Sequence, residues 1–176
     1  MKKLLVIVDM QNDFIDGALG TKEAVAIVPN AVKKIRDWDG DIILTADTHE
    51  DNYLEIKEGK HLSVKHCIKG EKGYYINNLI LDAVLEKGDN FKGKVDKYTF
   101  GSTALPEMIR HSNYDYIELI GLCTDICVVS NALILKANFP ETDIAVDARC
   151  CAGVTPETHR AALTTMIMCQ IEVIGE

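Results

Sequence analysis

The chain has 176 residues, a formal net charge of −8 and an apolar fraction of 47%. This length is enough for one domain with a sizeable core, and we expect a single domain over residues 1–176. The acidic charge argues against nucleic acid and anionic membrane as partners, and no apolar run is long enough to span a bilayer.

The first predicted element is a buried strand at residues 3–8, KLLVIV, because its apolar residues follow one another without a break and half of the segment is β-branched. The run resembles a signal peptide, but Asp9, Asn12 and Asp13 interrupt it and no small-residue cleavage site follows. We therefore expect a cytoplasmic protein whose six cysteines stay reduced. The strand leads into DMQNDF, at the carboxyl end where open α/β sheets bind ligands.

Helical and strand patterns alternate along the rest of the chain. Residues 50–73 have no clear period, and a loop of this length in a compact domain is usually functional or disordered. The alternation predicts a three-layer α/β/α fold with a mainly parallel, roughly six-stranded sheet. The other predicted elements are a helix at 24–38, a strand at 41–46, a helix at 77–87, a weak strand at 90–95, a helix at 105–111, strands at 117–120 and 142–146, a helix at 156–168 and a strand at 171–174.

The stretch 116–135, YIELIGLCTDICVVSNALIL, carries a candidate nucleophile. Its strand is predicted to break at Gly121, and an apolar helix to begin near Asp125, with Thr124 and Asp125 as N-cap residues. Cys127 would then lie in the first helical turn, where the helix dipole lowers the pKa of a thiol. The alternative is that Cys127 is a small buried hydrophobic residue.

Three chemically complementary groups follow predicted strands: Asp9, Lys97 and Cys127. The carboxyl ends of parallel strands share one edge of a sheet, so the topology can bring these groups together. A carboxylate can then accept the thiol proton, and an ammonium can stabilise the thiolate. Asp9 as a turn residue and Lys97 as a solvated lysine remain alternatives, because spacing alone does not distinguish them.

A second cluster of candidate ligands lies in DTHEDNYLEIKEGKHLSVKHC, which begins at Asp47. Asp47, His49 and His66 are close in sequence, and two imidazoles with one carboxylate suit zinc, iron or manganese. The alternative is a polar loop that binds no metal.

Four segments, taken in order, resemble the isochorismatase-like cysteine hydrolases, and within them the nicotinamidase branch. DMQNDF resembles the motif with the general base, here Asp9, and VDKYTFGS resembles the segment with the catalytic lysine, here Lys97. GLCTDICV resembles the nucleophile motif, and its nucleophile falls on Cys127. DARCCAGVTPETHRAAL resembles the late loop and helix of the family.

The resemblance implies a cysteine-dependent amidohydrolase that converts a small amide, with nicotinamide first, into its acid and ammonia through a thioester. Asp9 would accept the thiol proton and pass it to the leaving amine. The backbone N–H groups of Cys123 and Cys127 would hold the oxyanion, after a cis peptide between Leu122 and Cys123.

The resemblance also implies a divalent metal that holds the pyridine nitrogen of the substrate, with zinc first and iron or manganese as alternatives. Asp47, His49 and His66 match the ligand positions, and Glu58 is the expected further ligand, with Glu55 second. Relatives of this kind are homodimers or homotetramers, so the resemblance implies a homo-oligomer.

Two departures weaken nicotinamide as the substrate. Thr48 replaces the usual tryptophan, and Gly101-Ser102-Thr103 replaces Ser-Ala-Phe, so aromatic surface that would sandwich a flat ring is lost. An N-carbamoyl or ureido substrate, a non-catalytic binding protein with a reactive thiol and a structural oligomer subunit therefore stay open. The aromatic side chains expected to line the pocket instead are Phe14, Tyr53, Tyr98 and Phe100.

Overall fold

The computed structural model describes residues 1–175, in which strands and helices alternate. The strands are β1 Lys3–Val8, β2 Asp41–Asp47, β3 Phe91–Lys97, β4 Tyr116–Leu122, β5 Asp143–Ala152 and β6 Glu172–Ile174. The helices are α1 Asn12–Ile15, α2 Lys22–Asp37, α3 Lys57–His61, α4 Asn78–Leu85, α5 Ala104–Ile109, α6 Val129–Asn138 and α7 Pro156–Met168. No helix within residues 1–175 is long and apolar enough to cross a membrane.

The strands form one sheet in the order β3-β2-β1-β4-β5-β6, and every pair is parallel. β1 and β4 are the two central strands, with β2 and then β3 beside β1, and β5 and then β6 beside β4. Helices cover both faces, because parallel strands need crossover connections. The predicted α/β fold with a six-stranded parallel sheet is therefore confirmed.

A separate apolar core lies on each face of the sheet. Successive side chains of β1 point to opposite faces, so Leu5 and Ile7 join the core under α2 and α4, while Leu4, Val6 and Val8 join the core under α5, α6 and α7. Full burial of each such side chain contributes about 1.5–3 kcal/mol. Burial on both faces explains why the sequence of this strand is continuously apolar rather than alternating.

One predicted boundary on the central strands is wrong. β4 does not break at Gly121 but continues to Leu122, because Gly121 adopts φ = 121° and lies so close to β1 that a Cβ there would be 2.0 Å from the Val8 carbonyl oxygen. A π-helical turn, Thr124–Val128, then runs directly into α6, so the helix begins next to the predicted start at Asp125. Its N-cap residue is Cys123 rather than Thr124 or Asp125.

Other elements differ less from the expected boundaries. β5 runs past Asp147 to Ala152, and α1 was not predicted. The segment 50–73 contains α3 and two short 3-10 turns. By contrast, α7 has the predicted bounds, with Pro156 at its first position and Thr155 as its N-cap.

A buried ionic cluster joins α2 to the sheet. Lys34 Nζ lies 2.7 Å from Glu118 Oε1 and 2.8 Å from Asp147 Oδ2, and both carboxylates are buried. We expect Lys34→Met to lower the free energy of unfolding by about 3 kcal/mol, since it leaves the buried Glu118 carboxylate without its counter-charge and Asp147 paired with Arg149 alone. Urea unfolding at neutral pH measures the change.

Lys33→Met is the matched control for this prediction. Lys33 lies on the same helix but is exposed and pairs with the exposed Asp37, so its removal should change the free energy of unfolding by less than about 0.5 kcal/mol. Equal effects of the two substitutions would show that Lys34 does not compensate the buried carboxylates.

Candidate active site

Asp9, Lys97 and Cys127 meet at the carboxyl edge of the sheet. Asp9 directly follows β1, Lys97 is the last residue of β3, and Cys127 lies in the π-helical turn after β4. All three side chains are buried, with exposed fractions of 0%, 1% and 4%. The parallel topology thus gathers into one buried cluster three groups that are far apart in sequence.

The Lys97 ammonium lies between the other two groups. Its Nζ is 2.7 Å from Asp9 Oδ2 and 3.7 Å from Cys127 Sγ. Thr45, on β2, donates from its hydroxyl to Asp9 Oδ1 at 2.6 Å, whereas Oδ2 is buried, faces the ammonium and makes no hydrogen bond of acceptable geometry. Such an arrangement suits proton transfer between the thiol and the carboxylate beside a fixed positive charge.

The direction of the Cys127 pKa differs from the prediction. Burial raises the pKa of this thiol, and the Asp9 carboxylate raises it further, while Lys97 lowers it. Cys127 does lie in the first helical turn after β4, as expected, but this turn is π-helical and burial has the largest effect on the pKa of the thiol. Burial raises the pKa of Asp9 as well, against the opposing charge of Lys97. Burial thus opposes the charged form of both groups, and Lys97 is the neighbour that favours it.

The turn that carries the cysteines begins with a cis peptide between Leu122 and Cys123, as the resemblance implied. The Cys123 carbonyl accepts hydrogen bonds from the N–H groups of Ile126 at 3.1 Å and Val128 at 3.0 Å. These bonds fold residues 123–128 tightly, so Cys123 and Cys127 lie on one turn at the end of β4.

Gln11 links the ends of β1 and β2 through hydrogen bonds. It was not among the residues predicted from the sequence to form the site. Its Nε2 donates to the carbonyl oxygens of Asp47 at 2.8 Å and Tyr74 at 2.7 Å, and its Oε1 accepts from the Asp47 N–H at 2.7 Å. Thr45 was missed too, because its hydroxyl acts across strands. The position of Gln11 within DMQNDF was the available signal.

A second cluster adjoins the first one. Asp47, His49, Glu58 and His66 offer ligand atoms that all lie within 4.8 Å of one another. His49 Nε2 is 3.0 Å from Asp47 Oδ2 and 3.5 Å from Glu58 Oε1, and His66 Nε2 is 3.4 Å and 3.7 Å from the same two oxygens. Glu55, the second choice for the carboxylate ligand, is exposed outside the cluster.

These residues fit a divalent metal. His49 Nε2 is buried and makes no hydrogen bond of acceptable geometry. His66 Nδ1 lies 2.9 Å from the Val64 carbonyl oxygen, to which it donates, and this leaves Nε2 with a lone pair toward the cluster. Four ligands at about 2.1 Å from a tetrahedral zinc ion are about 3.4 Å apart, close to the spacings above.

Asp47 joins the two clusters. Its Oδ2 faces the imidazoles, and its Oδ1 lies 3.4 Å from Lys97 Nζ. One carboxylate thus contacts both the candidate metal ligands and the buried ammonium, so the two clusters form one continuous site.

The four aromatic pocket candidates occupy two different places. Tyr53 and Phe14 are buried and pack edge-on against the imidazoles, with the Tyr53 ring 4.7 Å from that of His49 and the Phe14 ring 5.5 Å from that of His66. Tyr98 and Phe100 follow β3 and are 66% and 45% exposed. The first pair supports the ligands, and the second pair lies at the surface of the site.

The family model described as Isochorismatase domain matches residues 3–175. The chain is 28% identical to the nicotinamidase/pyrazinamidase of Mycobacterium tuberculosis over 194 residues, which covers 98% of each chain. It is similar in structure to the nicotinamidase/pyrazinamidase of Bacillus subtilis, with a TM-score of 0.86, 24% identity and coverage of 99% and 100%. The zinc complex of Pyrococcus horikoshii pyrazinamidase superposes with a TM-score of 0.81 at 25% identity and covers 100% of both chains.

Proposed function

The chain belongs to the isochorismatase family, and we propose that it is a cysteine-dependent amidohydrolase that cleaves a small linear amide. The observation that carries the proposal is the buried cluster of Asp9, Lys97 and Cys127, with Nζ 2.7 Å from the carboxylate and 3.7 Å from the sulfur. Nicotinamide, hydrolysed to nicotinate and ammonia, is the first candidate substrate, because relatives of similar length carry the name nicotinamidase.

The reaction begins with the neutral thiol. As Cys127 Sγ attacks the amide carbonyl carbon, its proton passes to the Asp9 carboxylate, and the C=O bond opens to an oxyanion. Lys97 stays charged and stabilises the sulfur while it carries negative charge. The raised pKa of Asp9 makes its carboxylate a stronger base toward the thiol proton.

The second half of the reaction releases the products. The N–H groups of Cys123 and Cys127 hold the oxyanion, and each such donor contributes about 2.7–4 kcal/mol in comparable sites. Asp9 returns its proton to the leaving nitrogen, the C–N bond breaks, and ammonia departs from the thioester. Asp9 then takes a proton from water, the hydroxyl adds to the thioester, and the acid leaves as the thiol is re-formed.

Asp47, His49, Glu58 and His66 are the residues that would hold a divalent metal, with zinc first and iron or manganese as alternatives. A bound metal supplies a Lewis-acidic point that accepts a lone pair, such as that of a pyridine nitrogen. Phe14 and Tyr53 hold the imidazoles in place, and Tyr98 and Phe100 are the proposed contacts of the substrate ring.

The experiment that tests the function measures ammonia release from nicotinamide by the wild type, with zinc, manganese or iron added in turn. We expect saturable release that one of these metals increases. Because Thr48 and residues 101–103 lack the expected aromatic surface, an N-carbamoyl amino acid is assayed in parallel. Faster release from that compound would reject nicotinamide, and no release from either would reject the amidohydrolase.

Three further expectations stay predictions: a single domain over residues 1–176, a cytoplasmic location, and assembly as a homodimer or homotetramer. Light scattering on the purified protein measures the assembly. A monomer at working concentration would contradict it.

A further inference from the structure

Asn131, on α6, is fully buried, and the proposed reaction does not use it. Its Nδ2 donates to the Cys127 carbonyl oxygen at 2.8 Å and to the Phe100 carbonyl oxygen at 3.2 Å. Its Oδ1 accepts from the Ser102 N–H at 3.0 Å. The side chain therefore joins the backbone of the nucleophile to residues 98–103, the post-lysine loop.

The post-lysine loop also contacts the buried ammonium. Lys97 Nζ donates to the Thr99 carbonyl oxygen at 3.0 Å, one residue before the carbonyl that Asn131 holds. The contacts form a closed ring from Lys97 through the loop and Asn131 to Cys127, whose sulfur lies 3.7 Å from Lys97 Nζ. A shift of the loop would therefore move the ammonium relative to the sulfur.

Packing around Gly101 shows how tightly the loop lies on α6. The two loop hydrogen bonds of Asn131 flank this glycine, at Phe100 and Ser102. A Cβ at Gly101 would be only 2.5 Å from Ile134 Cδ1 and 3.3 Å from Ser130 Cβ. The loop backbone therefore lies directly on α6 at the place where Asn131 binds it.

We propose that Asn131 is a positioning residue, which holds Lys97 Nζ and Cys127 Sγ at their working separation through the post-lysine loop. This inference rests on the proposed function for its kinetic consequence. Loss of the amide leaves the Ser102 N–H and the Phe100 carbonyl without their partner, so the loop is released. A displacement of about 1 Å at reacting groups can cost about 10²-fold in rate.

The test compares Asn131→Ala with Asn138→Ala. Asn138 is on the same helix, and its Nδ2 likewise donates to the carbonyl four residues earlier, Ile134 at 2.9 Å, but it is exposed at the end of α6, seven residues beyond Asn131. We expect Asn131→Ala to lower kcat about 10- to 100-fold while KM changes by less than about threefold. Asn138→Ala should keep both constants within about twofold.

A second variant covers the case in which Asn131→Ala does not fold. Asn131→Ser keeps a hydroxyl that can bond the Cys127 carbonyl four residues earlier, but it is too short to hold the loop. If Asn131 acts through the post-lysine loop, kcat of Asn131→Ser falls by as much as kcat of Asn131→Ala. Wild-type kcat in folded Asn131→Ser, judged by its thermal unfolding, would overturn the proposal.

A readout independent of substrate separates this inference from the proposed function. Iodoacetamide alkylation of Cys127 near neutral pH is followed by mass spectrometry of its peptide, so the other cysteines do not interfere. We expect alkylation at least about fivefold slower in Asn131→Ala, because the thiolate form that reacts with iodoacetamide is less populated when the ammonium moves away from the sulfur. If the wild type releases no ammonia, the proposed function fails, and the alkylation rate still decides: a slower rate supports positioning, and an equal or faster rate overturns it.

Discussion

Cys127→Ala should abolish ammonia release, with kcat at least about 10⁴-fold below that of the wild type. The alanine has no sulfur to form the thioester, and Asp9 and Lys97 then face each other without a nucleophile. Steady-state ammonia release measures the loss. Intact-mass spectrometry of the quenched wild type should reveal the acyl-enzyme, which Cys127→Ala cannot form.

Cys123→Ala is the matched control. Cys123 lies on the same turn and is only partly buried, and its proposed contribution is a backbone N–H that alanine keeps. We therefore expect kcat within about tenfold of the wild type, since the substitution changes packing rather than chemistry. Retained activity in Cys127→Ala, or equal loss in both variants, would reject Cys127 as the nucleophile.

Short sequence patterns were sufficient to predict the main strands and helices of the fold. The continuous apolar run Leu4–Val8 predicted a strand buried on both faces, and the structure confirms it. Pro156 at the first position of α7 predicted its start to the residue, because proline has no N–H to lose there. These signals lie within a few residues of the element that they predict, so one sequence suffices to read them.

The chemical environment of the site was less accessible from sequence. The Cys127 pKa follows from burial and from Asp9, which is distant in sequence, so the helix-dipole argument gave the wrong direction. Asn131 binds a loop that lies about 30 residues earlier in the chain. The sequence shows only that an asparagine interrupts an apolar helix, and it does not show which backbone groups this side chain binds. Likewise, only the folded segment distinguishes Glu58 from Glu55.

His66→Ala should remove most of the zinc affinity. The wild type is expected to bind one zinc ion per chain, held by the cluster that His66 completes, and loss of one of four ligands should weaken binding at least about 100-fold. Competition with a chromophoric chelator measures the affinity directly. Thermal unfolding gives a second readout, since zinc at 100 times its dissociation constant stabilises the native state by about 2.7 kcal/mol.

His61→Ala is the control for this prediction, and Asp47 is not a suitable target. His61 ends α3 in the same part of the chain but is exposed and outside the cluster, so its removal should leave zinc affinity unchanged. Asp47 also contacts Lys97, and its loss would disturb the nucleophile together with the metal ligands. Equal affinity in His66→Ala and the wild type would mean that zinc binds elsewhere, and the buried His49 Nε2 would then need a different partner.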